Sequence, residues 1–129
     1  MRLGYVIMYV KDIQETVVFY EKAFGLKRRF IHESGAYAEM ETGTTALAFV
    51  DEKFVKDSFS FRSNRCSEEA AGIEISLVTD QVEHQFDKAI KAGAISIVKP
   101  TQKPWGQLVS YVRDNNGCLV EICSPIESA

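Results

Sequence analysis

Two histidines and one tryptophan are all that the 129 residues contain, which limits imidazole chemistry to His32 and His84. His84 falls within a helical pattern and His32 in a strand-like stretch beside charged neighbours, so both are read as surface residues. Cysteine is nearly as sparse. Cys66, Cys118 and Cys123 are odd in number and form no Cys-x-x-Cys pattern, so a disulfide framework is not expected. Cys118 and Cys123 lie five apart in a strand-like run and so face opposite sides of it; all three read as buried, reduced thiols. There is no excess of basic charge: 15 Lys and Arg stand against 18 Asp and Glu, a net charge of −3. No nucleic-acid footprint is visible. Apolar runs such as Val6–Val10 are far too short to span a bilayer, and the first residues lack a signal-peptide pattern, so a cytoplasmic protein is expected. Neither a Gly-x-Ser-x-Gly elbow nor a phosphate-cradling glycine loop occurs.

What the chain does contain is ordinary globular composition, 46% hydrophobic and 26% charged, arranged in a repeated order. Residues 3–10 form an apolar, β-branched and aromatic run typical of a buried strand. Asp12 opens a helix with Glu15 in capping-box position, Ile13, Val17, Tyr20 and Phe24 give it one apolar face, and Gly25 ends it. Strands are expected near 26–33, 36–42 and 44–50. The plan then recurs: a strand over 72–79, Asp80 and Glu83 opening a helix with Val82, Phe86, Ala89 and Ile90 on its apolar face, and Gly93 ending it. Strands near 95–98, 106–113 and 117–123 follow, the last two joined by an Asn-Gly turn. Asp12 and Asp80, Gly25 and Gly93, and Gly4 and Gly72 are each 68 apart, the mark of a duplicated β-α-β-β-β unit. The expected organisation is one domain over 1–129, with unit 1 at 3–50, a connector at 51–71 and unit 2 at 72–123. Phe54, Phe59 and Phe61 suggest that part of the connector packs on something, a second subunit being one option.

Val10-Lys11-Asp12, then Phe19-Tyr20 and Gly25-Leu26, followed much later by Asp114-Asn115-Asn116-Gly117 and Glu121-Ile122, resemble the hallmarks of the glyoxalase / bleomycin-resistance / extradiol-dioxygenase (vicinal oxygen chelate) superfamily. The likeness covers nearly the whole chain. It implies an α+β fold of two tandem βαβββ units forming a curled, cup-shaped mixed sheet with helices outside, commonly dimeric. It also implies four ligand positions, which fall here on Tyr5 (usually His), Ala48, Glu74 (usually His) and Glu121.

Glu74 depends on a choice of register. Aligning the helix-opening aspartates sets it opposite Val6; a shift of one sets it opposite Tyr5, and a slip of one turns every side chain to the other face. Ile73, Ile75 and Leu77 form the natural core face, which leaves Glu74 and Ser76 on the other. Zinc and nickel prefer nitrogen or sulfur donors, whereas Glu74 and Glu121 offer oxygen, so these two would hold a divalent metal (Mg, Mn, Ni or Zn) weakly, and none is the favoured expectation.

The single tryptophan lies in Lys103-Pro104-Trp105-Gly106-Gln107. It is read either as an aromatic wall with Gln107 as an orienting amide, or as cover for a core edge. Tyr5, Tyr9, Tyr37 and Tyr111 are candidates to face a cavity, while Glu39 and Glu41 and the Lys27-Arg28-Arg29 cluster read as solvated. Function stays open between two classes. One is a metal-independent small-molecule-binding protein of the bleomycin-resistance type, a homodimer with Tyr5, Ala48, Ser76, Trp105, Gln107 and Tyr111 at the ligand. The other is a lyase, isomerase or thiol transferase resembling glyoxalase I, in which Glu74 and Glu121 hold a divalent metal or act as general bases.

Overall fold

The computed structural model describes residues 1–126. Its elements run β1 (Tyr5–Val10), α1 (Ile13–Phe24), β2 (Lys27–Ile31), β3 (Tyr37–Glu41), β4 (Ala46–Asp51), α2 (Glu52–Val55), β5 (Glu74–Val78), α3 (Val82–Lys91), β6 (Ile95–Gln102), β7 (Leu108–Arg113) and β8 (Leu119–Cys123). They fall into two compact units, Met1–Asn64 and a second beginning at Arg65. Each unit holds one four-stranded mixed sheet, in the orders β1-β4-β3-β2 and β5-β8-β7-β6. In both, the first strand pairs in parallel with the last and the other pairings are antiparallel. This is the α+β, duplicated βαβββ architecture that the sequence pattern predicts.

In unit 1, Asp12 caps α1 as expected: its side chain accepts from the Glu15 amide at 2.9 Å, and Gly25 at φ 67° ends the helix with its N–H on the Glu21 carbonyl. The face made by Ile13, Val17, Tyr20 and Ala23 is buried against the sheet. Tyr20 and Phe49 are fully buried with ring centroids 4.9 Å apart. Burial of rings of this size contributes on the order of 2–3 kcal/mol each.

In unit 2 the start of α3 corrects the expected repeat. Its N-cap is Gln81, not Asp80, and no side chain caps it; instead the Gln81 amide donates to Thr79 Oγ1 at 3.1 Å. Ile13 and Val82, and Tyr5 and Glu74, open corresponding elements and are 69 apart, whereas the terminating glycines are 68 apart. The helix in unit 2 is shorter, with 10 residues against 12, so alignment on its end misplaces its beginning by one. Ile73 is a second correction, since it lies before β5 and is exposed rather than in the core.

Two further differences lie outside the helices. β6 is longer than expected, and its pairing with β7 is interrupted between Ser96 and Val98 and again between Val98 and Thr101. The connector holds one helical turn, α2, and two of its aromatics pack within unit 1, Phe61 and Phe59 lying 4.8 and 6.1 Å from the Tyr9 ring, while Phe54 is exposed. In unit 2 the Arg113 guanidinium ties residues 65–68 down, donating to the carbonyls of Arg65, Cys66, Glu68 and Gly117. Gly117, at φ 90°, has no room for a side chain, because a Cβ there would sit 2.6 Å from the Arg65 carbonyl oxygen. All three cysteines are unpaired, and Cys66 is exposed rather than buried.

The two helix starts make a direct test. Asp12→Ala should cost about 1 kcal/mol in urea unfolding through loss of its cap. Asp80→Ala should change stability by less than about 0.5 kcal/mol. Equal losses would mean that α3 begins at Asp80.

Candidate functional site

Paired residues on neighbouring strands point to the same side of a sheet, so the register of unit 2 assembles its chemical face. Ser76 pairs with Glu121, and Glu121 with Tyr111. Val120, Ile122 and Val112, which alternate with these residues, are buried on the opposite face. Glu74 stands two residues before Ser76 and shares its side, whereas Ile75 and Leu77 point the other way. The structure therefore brings Glu74, Ser76, Glu121 and Tyr111 together, and adds Cys123, which composition alone gave no reason to include.

These groups bond to one another. Ser76 Oγ donates to Glu121 Oε1 at 2.5 Å and lies 3.3 Å from Cys123 Sγ. Tyr111 also bonds Glu121; burial first, and then that bond, pushes its phenol up to about 12, so it stays a donor at neutral pH. Burial likewise raises the Cys123 thiol, which stays protonated. The Glu74 carboxyl is raised by burial and next by the charge of Glu121. Among the described residues no salt bridge reaches Glu74 or Glu121, whereas in unit 1 Arg28 pairs with Glu21 and Arg29 with Glu39 and Glu41.

Unit 1 carries different chemistry on the equivalent positions. Its pairing of Ile7 with Ala48 and of Ala48 with Glu39 matches that of Ser76, Glu121 and Tyr111. Tyr5 then corresponds to Glu74 and is exposed, while Ala48 is fully buried and offers only a methyl group. Glu39, read from sequence as solvated, is buried instead. Arg29 Nη1 reaches it at 2.9 Å and Tyr37 Oη at 2.6 Å, and the Arg29 fork also holds Glu41. Arg29 can do this because β2 is irregular between Arg28 and Phe30, which turns it toward β3. Lys27, Arg28 and Arg29 are exposed, as a solvated cluster would be, and the two arginines are in addition paired with Glu21, Glu39 and Glu41. Burial, followed by the bond to Glu39, raises the Tyr37 phenol far above its ordinary value.

Trp105 stands on the β6–β7 hairpin, 60% exposed, in a turn closed by Gly106 N–H on the Lys103 carbonyl. Its indole N–H donates to Gln107 Oε1 at 2.9 Å, and Gln107 Nε2 donates to the Ser124 carbonyl at 2.9 Å. His32 and His84 are both exposed, and His32 Nδ1 pairs with Ser34 Oγ.

The donor set does not fit a zinc or nickel centre. Among the described residues no three His, Cys, Asp or Glu side chains converge to hold a metal. The carboxylate of Glu121 is occupied by two hydroxyl donors, the nearby thiol is held protonated, and Ala48 supplies nothing.

A glyoxalase-like domain family model matches residues 3–127, and the chain belongs to that family. A glyoxalase-related enzyme from Fulvimarina pelagi is similar in fold at TM-score 0.82 and 17% identity, over 97% of this chain and 88% of that one. So is a glyoxalase/bleomycin resistance protein/dioxygenase family enzyme from Burkholderia phytofirmans PsJN, at TM-score 0.76 and 21% identity over 96% and 98%. A member of the same superfamily from Sphaerobacter thermophilus DSM 20745 gives TM-score 0.73 and 17% identity over 97% and 98%. No curated protein matches. No helix among the described residues is long and apolar enough to cross a membrane.

The Glu74–Glu121 interaction has a titration signature. Because the folded-state pKa of Glu74 lies above its unfolded value, this group favours the fold below the unfolded pKa, and that contribution is lost as pH rises through the folded one. A carboxyl NMR titration should place the Glu74 midpoint above the ordinary glutamate value, and Glu121→Gln should lower it. A midpoint indifferent to Glu121→Gln would show that the two carboxylates do not interact.

Proposed function

We propose that this glyoxalase-like domain is a small-molecule-binding protein that works without a catalytic metal, and that its ligand is a planar or aromatic cation. The observation that carries this reading is the pair Glu74 and Glu121, held on one face of the unit 2 sheet with no basic partner among the described residues. Uncompensated carboxylates in partly desolvated surroundings attract positive charge more strongly than they would in water. Ser76 and Tyr111 hold Glu121 in place, and the exposed Trp105 indole on the same unit supplies a surface for cation–π or stacking contact.

A second reading is favoured by one observation, the raised Glu74 carboxyl beside another carboxylate. A carboxyl of raised proton affinity beside a second carboxylate is a usual arrangement for general acid–base work. In that case Glu74 would serve as the base of a lyase or isomerase, with no step assigned to a metal.

The protein is further proposed to act as a cytoplasmic homodimer. Three unpaired cysteines suit a reducing compartment. Leu3, Tyr5, Ile7, Ile73 and Val78, on or beside the edge strands β1 and β5, expose apolar surface that a second copy would cover. Sizing at micromolar concentration should give a dimer; a monomer would overturn this part.

Protein purified without chelators should carry far less than one equivalent of Zn, Ni, Mn or Fe by elemental analysis; a stoichiometric metal would overturn the metal-free reading. In a thermal-shift panel of aromatic amines, at least one should raise Tm by several degrees at a hundredfold excess over Kd. Glu74→Gln or Glu121→Gln should abolish that shift. Amines without effect on the wild-type protein would remove support for a cationic ligand.

A further inference from the structure

An exposed tryptophan at a hairpin tip ordinarily samples several rotamers, yet Trp105 is bonded at its one polar atom. Its partner is suited to the task. An indole N–H only donates and a backbone carbonyl only accepts, so a glutamine amide placed between them satisfies both in a single orientation. Gln107 occupies that position, with Oε1 on Trp105 Nε1 and Nε2 on the Ser124 carbonyl, each at 2.9 Å. The anchor is itself fixed, because Ser124 exchanges two bonds of 2.9 Å with the backbone of Leu108, where β7 begins.

The amide also acts on the Cys123 thiol, whose sulfur lies 3.3 Å from Ser76 Oγ, and Ser76 donates to Glu121. Neighbouring polar groups of unit 2 therefore lead from the exposed indole toward the carboxylate. Cys123 and Glu121 are two residues apart on β8, about 7 Å along an extended strand. The amide of Gln107 is committed to protein partners, so its work is on Trp105 rather than on a bound molecule.

We propose that Gln107 is a positioning residue: it locks the Trp105 indole in one orientation as a stacking platform for the aromatic end of a ligand whose cationic end is taken by Glu121. This rests on the ligand-binding reading above and adds to it a required shape, an aromatic ring carried on a short arm from the charge. Preorganising the ring removes an ordering cost that binding would otherwise meet.

The single tryptophan gives one indole N–H resonance and one emission signal, so the unliganded protein already tests the claim. Gln107→Leu keeps the side-chain bulk and removes both bonds. Gln107→Glu keeps an acceptor for the indole but sets a negative oxygen against the Ser124 carbonyl. The indole N–H should exchange slowly in the wild-type protein, faster in Gln107→Glu and fastest in Gln107→Leu, with emission anisotropy falling in the same order. Phenethylamine, as the probe in calorimetry, should bind Gln107→Leu about 3- to 10-fold more weakly than wild type. An indole equally fixed in Gln107→Leu, or phenethylamine bound equally well by it, would overturn the proposal. A freed indole in Gln107→Leu with no binding of phenethylamine or any other panel amine by wild type would sustain the positioning role and overturn the ligand reading alone.

Discussion

In both sheets the strand that opens the unit lies in parallel register beside the strand that closes it, and that pairing governs everything else on the face. A parallel pair needs a long crossover, which α1 and α3 begin, and it fixes side-chain direction without help from a hairpin turn. With Ser76 set against Glu121, the hydroxyl meets the carboxylate, Tyr111 arrives from the other neighbouring strand, and Glu74 is left beside them. Moving β5 by one residue would exchange Ser76 and Glu74 for Ile75 and Leu77, leaving a glutamate against the core and two aliphatic side chains in water. Such a slip is opposed by several kcal/mol of apolar burial and carboxylate desolvation, so the register is held firmly.

On this shared frame the two units have taken opposite electrostatic solutions. Unit 1 buries a glutamate and compensates it fully, with Arg29 and Tyr37 bound to Glu39. A carboxylate so enclosed is a structural element, since it has little left to offer a ligand. Unit 2 holds its carboxylate with hydroxyl groups alone and leaves Glu74 without a counter-ion among the described residues. Hydroxyl donors fix direction but do not cancel charge, so attraction for a cation is retained there and lost in unit 1.

The strands, helices and duplicated order were legible because they rest on local patterns: apolar periodicity, the Asp12 cap, Gly25 and the Asn-Gly turn. The repeat is offset by one residue at α3, because Asp80 has the sequence position of a cap without acting as one and the helix is entered through Thr79 and Gln81. Register still put Glu74 on the correct side, since Ile75 and Leu77 left only one face for it. Glu39 could not be read as buried, because its partner reaches it through an irregularity of β2 that has no sequence mark. The places of Cys123 and Gln107 are hidden for a related reason. Cys123 meets Ser76 across 47 residues of chain and Gln107 meets Ser124 across 17, so neither depends on its own neighbours.

Charge and protonation are linked on the unit 2 face, and the sign of the linkage separates the two uses that such a pair can have. A raised Glu74 keeps its proton to higher pH than an ordinary glutamate, and while it does so a cation arriving at the pair must displace it. On the proposed reading, affinity rises with pH until Glu74 is fully ionised and then levels off, with proton release accompanying binding below that point. A general base would give the same rising limb in rate, but with a proton taken up from the substrate rather than released to solvent. Calorimetry in buffers of different ionisation enthalpy counts those protons directly. One face of one sheet can thus be assigned to binding or to catalysis by the direction in which a single proton moves.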